Sequence, residues 1–159
     1  MRIVVCGDTH GRIEELTREL ERLKNIDYLI HTGDFYQDGI ALGRELGIKT
    51  RVVVGNCDLG VKGPREEIFT LAGRRFLLTH GHLYRVKSHL NSLKFRAEEV
   101  GAHVVIFGHT HTAYCEMVEN ILFINPGSTR YSRFSQRGTY VLIEADDERL
   151  QANIVEMAF

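Results

Sequence analysis

The sequence predicts an α/β fold in which two mixed sheets pack face to face with helices outside, a four-layer α-β-β-α sandwich. Three observations predict it. Short aliphatic runs alternate with amphipathic segments of helical period through most of the chain. A hairpin pattern interrupts that alternation between Pro64 and Thr79. From Ala113 onward the pattern is all strand.

The first run, Ile3-Val4-Val5-Cys6, has no polar alternation, as expected for a central strand covered on both faces. It stops at Gly7-Asp8-Thr9-His10-Gly11, where glycines allow a sharp turn. Ile13, Leu16, Leu20 and Leu23 then share one face of a helix from about Arg12 to Lys24. A strand at Asp27 to His31 follows, and the strand-helix-strand unit predicts parallel neighbours. A helix from Asp38 to Leu46, closed by Gly47, leads to a strand at Thr50 to Val54. Glu67 to Leu71 and Arg75 to Thr79 flank an Ala72-Gly73-Arg74 turn. Val86, Leu90, Leu93, Ala97 and Val100 predict a helix ending at Gly101, followed by a strand at His103 to Phe107. The strands that remain are Tyr114 to Val118, Ile121 to Ile124, Thr139 to Glu144 and Asn153 to Met157. No repeat or linker divides the chain, and its 159 residues suit a single domain spanning 1–159.

Lys and Arg number 20 against 21 Asp and Glu, which removes any global electrostatic case for nucleic acid or an acidic membrane. Local basic groups remain, Arg85, Lys87, Lys94 and Arg96 on one segment and Arg130, Arg133 and Arg137 in a late loop; a solvated polar face is their simplest reading. The three cysteines are widely spaced without a C-x-x-C pair, which argues against a disulfide scaffold and fits a reducing cytoplasm. No apolar run approaches membrane length.

Five apolar runs end in Asp, Asn or His beside glycine: at Asp8 and His10, at Asp34, at Asn56, at His80 and His82, and at His109 and His111. In open α/β sheets ligands gather beyond the carboxyl ends of strands, so these side chains are expected to converge. Imidazole with carboxylate and amide oxygen is a mixed donor set for divalent metals, and two ions about 3.5–4 Å apart form a clamp suited to phosphate esters. Each piece alone is a weak signal, because Asp-x-His arises by chance and a lone strand-end His is commonly structural. Five pieces at five strand ends are not.

The blocks Asp8-Thr9-His10-Gly11, Gly33-Asp34, Gly55-Asn56-Cys57-Asp58, His80-Gly81-His82 and Gly108-His109-Thr110-His111, in this order, resemble the five signature blocks of the calcineurin-like metallophosphoesterase superfamily. The short length and Asn125-Pro126-Gly127-Ser128 resemble its small YfcE-like phosphodiesterase branch. The resemblance implies that Asp8, His10, Asp34 and His111 hold one divalent ion and Asp34, Asn56, His80 and His109 a second, with Asp34 as the bridge. It implies two ions, manganese first with nickel, zinc, iron or magnesium as alternatives, and hydrolysis of a small phosphoester by a metal-bridging hydroxide.

One position departs from the family pattern. Many members carry Gly-Asn-His-Asp or Gly-Asn-His-Glu, whose His assists the leaving oxygen, and here that slot is Cys57, a poorer donor. Good leaving groups, a restricted substrate, or help from His82 or His31 are the open readings. The candidate catalytic residues are thus Asp34, Asn56, Cys57, Asp58 and His82, with Asp58 either supporting a ligating histidine or a turn acid. Ser128 or Arg130 is a candidate phosphate contact, while His31, His89 and His103 read as structural. Two rivals follow from the same resemblance: a non-catalytic, retromer-subunit-like scaffold, and a nuclease, which the balanced charge disfavours. The expected partner is a small phosphoester, with no nucleic acid and no membrane, and homo-oligomerisation stays open.

Overall fold

A computed structural model describes residues 1–130 and 137–158. Among the described residues, ten strands form two mixed five-stranded sheets, with three α-helices. The first sheet holds β1 (Arg2–Cys6), β2 (Tyr28–His31), β3 (Lys49–Val52), β9 (Thr139–Ala145) and β10 (Leu150–Glu156), in the order β10-β9-β1-β2-β3. The second holds β4 (Glu66–Leu71), β5 (Arg74–Thr79), β6 (Val104–Ile106), β7 (Ala113–Val118) and β8 (Ile121–Pro126), in the order β4-β5-β6-β8-β7. β1, β2 and β3 run parallel, as do β5, β6 and β8; antiparallel strands lie at both edges of the second sheet and at the β10 edge of the first, whose other edge is the parallel strand β3.

Three apolar clusters fill the three spaces between four layers. Alternate side chains of β1 go to opposite faces: Ile3 and Val5 meet Phe76, Leu78, Ile106 and Ile124 between the sheets. Val4 and Cys6 face outward against Leu16 and Leu20 of α1 (Glu14–Arg22) and Leu42 of α2 (Tyr36–Leu46). Leu77, Val105 and Phe123 of the second sheet pack on Leu93 and Ala97 of α3 (Asn91–Val100). The expected α-β-β-α order is thereby present.

Gly47 and Gly101 end α2 and α3 in the left-handed conformation, where glycine has no Cβ penalty. The two hairpins with two-residue turns, β4-β5 and β7-β8, turn through consecutive residues of positive φ, Ala72-Gly73 and Glu119-Asn120, as the right-handed twist of paired strands requires.

The segment before α3 departs from expectation. The apolar spacing predicts a helix from Val86, but α3 begins at Asn91. A 3-10 turn, His82–Tyr84, precedes it and Arg85 takes φ 53°. Val86 is buried from this turn, packed over Gly81, where any Cβ would collide with it. Its apolar character therefore reports burial rather than helical phase. β10 begins at Leu150 rather than Asn153 because every residue from Leu150 to Glu156 pairs with β9.

Candidate metal centre

The carboxyl ends of β1, β2, β5 and β6 open onto one face, and the loops after them carry Asp8, His10, Asp34, His80, His109 and His111. Asp8, His10, Asp34, His109 and His111 all have positive φ, half of the ten non-glycine residues that do so among those described. Left-handed backbone costs such residues roughly 1 kcal/mol each, and strain of this kind concentrates where side chains must be aimed.

One donor atom from each of Asp8, His10, Asp34 and His111 lies within 4.8 Å of the others. Asp8 is buried; its Oδ2 accepts the N–H of His109 at 3.2 Å, and its Oδ1 has no hydrogen-bond partner although His111 Nε2 is 3.1 Å away. His10 Nε2 is likewise buried and unpartnered. Buried polar atoms left unsatisfied call for an ion or a water, and bare carboxylate and imidazole atoms converging on one point fit a divalent cation.

Asp34 also faces the other group. Its Oδ1 accepts the Cys57 N–H at 2.8 Å and its Oδ2 lies 3.4 Å from His80 Nε2. His80 Nδ1 donates to the Thr32 carbonyl at 2.8 Å, so a neutral His80 presents a bare Nε2. That nitrogen stands 3.0 Å from Asn56 Oδ1. The His109 ring centre is 5.1 Å from that of His80. With His80 neutral, two acceptors would face each other here, an arrangement that a cation or a proton on Nε2 relieves. Burial opposes charge on His80, but Asp34 and Asp8 outweigh it and raise its pKa, favouring a proton on the ring. Burial likewise opposes charge on Asp34, yet contacts from His80 and Cys57 hold its carboxyl well below the usual range. Burial dominates at His109, pushing it down to about 4, with His80 and Lys87 adding to the effect.

Close backbone approach is built into the site. A Cβ at Gly55 would strike Asp34 Oδ1, and one at Gly108 would crowd Asp8 Oδ2. The Asn125 side chain is buried and donates to the Gly108 carbonyl and Thr110 Oγ1, fixing the loop of His109 and His111. Ser128 Oγ donates to the Asp8 carbonyl at 2.8 Å and accepts the Arg130 N–H, so it positions Asp8. Arg133 lies outside the described residues.

Asp58 accepts three backbone N–H groups, from Asp34 and Gly55 at Oδ2 and from Tyr36 at Oδ1, and so clamps the turns carrying Asp34 and Asn56 rather than bonding a histidine. Cys57 is exposed, and burial of its sulfur and the nearby Asp34 push the thiol up to about 11, leaving it protonated at neutral pH. His82 lies beside His80 and His109, with ring centres 5.3 and 6.1 Å away. Burial and the His80 charge lower its pKa, and Arg65 adds to this. His31 is wholly buried beneath the cluster: Nδ1 accepts the Gly33 N–H, leaving Nε2–H to bond Thr9 Oγ1, which donates to Asp38 Oδ2. Asp38, which also accepts the Gly11 N–H at 2.7 Å, thus braces the Asp8–His10 turn. Its place in the first turn of α2 gave no sign of that role, because its partners are far away in the chain.

Residues 1–148 match the family model of the calcineurin-like phosphoesterase superfamily domain. The chain belongs to that superfamily. Among superfamily relatives, the probable metallophosphoesterase YsnB of Bacillus subtilis is 34% identical, with 99% of this chain and 92% of that protein covered. The phosphodiesterase YfcE of Escherichia coli is 25% identical, covering 92% of this chain and 89% of that one, which supports the YfcE-like branch. A predicted phosphoesterase from Streptococcus pneumoniae superposes with a TM-score of 0.82 at 28% identity, covering 98% and 89% of the two chains. Zinc-complexed Vps29 from Entamoeba histolytica has a TM-score of 0.81 at 21% identity over 99% of each chain, a likeness of fold.

Proposed function

We propose that this chain is a divalent-metal-dependent phosphodiesterase acting on a small phosphoester. In this reading Asp8, His10, Asp34 and His111 hold one ion, Asp34, Asn56, His80 and His109 hold the other, and Asp34 is shared. The observation that carries the reading is the convergence of unpartnered Asp8 Oδ1 and His10 Nε2 with donor atoms of Asp34 and His111, beside His80 Nε2 at 3.0 Å from Asn56 Oδ1. Bound divalent ions supply positive charge to phosphoryl oxygens and make water nucleophilic near neutral pH. Manganese is the first choice, since the donors mix carboxylate, amide and imidazole without thiolate.

The chain's own residues orient and position. The Asp58 clamp and the Cys57 N–H set the Asp34 carboxylate, and the Thr32 carbonyl fixes the His80 tautomer. A protonated Cys57 does not serve as a nucleophile, and His31 is committed to Thr9 and Gly33. His82 is the remaining imidazole at the pocket wall, and its lowered pKa disfavours the protonated form that a general acid needs, in keeping with substrates that carry good leaving groups. In this reading Arg130, whose charge reaches His10, would meet a phosphoryl oxygen.

Three free cysteines support a reducing, cytoplasmic location, and no helix among the described residues is long and apolar enough to cross a membrane. Exposed Phe35, Leu59 and Leu83 favour a second reading, a protein-interaction module on the same fold. Stripping the protein of metal and assaying bis-p-nitrophenyl phosphate beside p-nitrophenyl phosphate, with manganese, nickel, zinc or magnesium restored, separates the two. Metal-restored diester turnover that is absent in Asp34→Asn supports the enzyme; no turnover with any metal supports the module.

A further inference from the structure

Beside the metal centre, the loop from Val54 to Arg65 walls a pocket of about 480 Å³ whose lining includes Asn56, Asp58, Leu59, Lys62, Arg65 and His82. The volume falls within the range of small-molecule sites. The loop is ordered by its own hydrogen bonds, Val54 N–H to the Pro64 carbonyl at 2.8 Å and Val61 N–H to that of Asp58 at 3.2 Å. Gly63 sits directly against the Tyr36 ring, where a Cβ would not fit.

The charge of this pocket is unbalanced in a particular way. Lys62 and Arg65 line it, and among the described residues neither has an acidic partner, unlike Arg2, Arg51, Lys94 and Arg96. Asp58 is the acid in the lining, and both of its oxygens are committed to backbone N–H groups. His82 Nδ1 is buried without a partner on the same wall. Since the whole chain has a net charge of -1, this concentration of positive charge is local rather than part of a basic surface.

We propose that this pocket seats the second arm of the substrate and that the arm ends in an anion, a phosphate or a carboxylate, held by Lys62 and Arg65. The location of the scissile phosphorus rests on the hydrolase reading above; the anion seat rests on the pocket. A guanidinium presents a fork that suits either oxyanion, and an ammonium adds a point charge. Leu59 and Val61 give the linking carbons an apolar wall. The substrate class is therefore a phosphoester carrying a second acidic group, rather than a neutral alkyl or aryl diester.

The test uses p-nitrophenyl alkyl phosphates with ethylene, butylene or hexylene linkers ending in methyl, carboxylate or phosphate, assayed on the manganese-loaded protein. Calorimetry with the matching phosphonates, which are not hydrolysed, gives a binding readout independent of turnover. At the best linker, an acidic end should raise both affinity and kcat/KM roughly tenfold or more over methyl. That ratio should collapse towards one in Lys62→Ala/Arg65→Ala and survive largely in Lys62→Arg/Arg65→Lys, which also controls for folding. Whether phosphate or carboxylate gains more identifies the preferred anion. Equal handling of methyl and acidic ends at every linker, or a preference that persists in the double alanine variant, overturns the proposal. Charge-selective binding without turnover would keep the anion seat and sink the hydrolase reading; turnover without charge selectivity would do the reverse.

Discussion

His80 Nε2 and Asn56 Oδ1 face each other at 3.0 Å while His80 Nδ1 is bound to the Thr32 carbonyl. A neutral His80 would meet the amide oxygen acceptor to acceptor, a repulsion that the proposed ion between them would relieve. His80→Ala should reduce bound metal per chain, measured by elemental analysis after manganese loading. It should also cut metal-dependent turnover on the order of 10²–10³-fold, the usual loss for removing one electrostatic stabiliser.

Asp8 carries a buried carboxylate with an unpartnered Oδ1, an arrangement that destabilises the metal-free protein. Manganese at about a hundred times its dissociation constant should stabilise the wild type by roughly 2.7 kcal/mol, and chelator should remove the gain. Metal-free Asp8→Asn should unfold no earlier than metal-free wild type and gain little from manganese. Thermal unfolding of both proteins with chelator and with manganese checks this.

His31 links stability to pH. Burial, partly opposed by Asp8 and Asp38, lowers its pKa to about 4 from 6.5. Between those values the unfolded chain binds a proton that the folded chain refuses, so the contribution is complete above the unfolded pKa and drains away as pH falls toward the folded one. The full swing is on the order of 3 kcal/mol. Urea unfolding in chelator should therefore show a smaller loss between neutral pH and about pH 4.5 in His31→Gln than in wild type.

Cys57 stands where many superfamily members carry a histidine, and its thiol is neutral at pH 7. Cys57→His should speed hydrolysis of alkyl diesters, which need a proton on the leaving oxygen, by roughly 10-fold or more. Diesters with p-nitrophenol as leaving group should change little. Parallel kcat values for the two substrate types decide it.

Much of the fold was legible because burial leaves a periodic trace: the unbroken apolar run of β1, the helical stripe of α1 and the glycine ends of α2 and α3 match the structure closely. Periodicity misled at Val86, whose burial comes from a turn packed on Gly81. The convergence of Asp8, His10, Asp34 and His111 was also foreshadowed, since parallel strands align their carboxyl ends.

The sequence by itself determined the layer order and the strand ends at which carboxylate and imidazole side chains gather. The tertiary structure alone decided which atom of each donor is bare. His80 is oriented by a carbonyl 48 residues away, and Asp58 closes on amides up to 24 residues away. It also set His31 beneath the cluster and His82 on the pocket wall, and placed Lys62 and Arg65 together beside it. The reason is physical: residue type and spacing encode burial, whereas tautomer, charge state and pocket shape depend on contacts between segments distant in the chain.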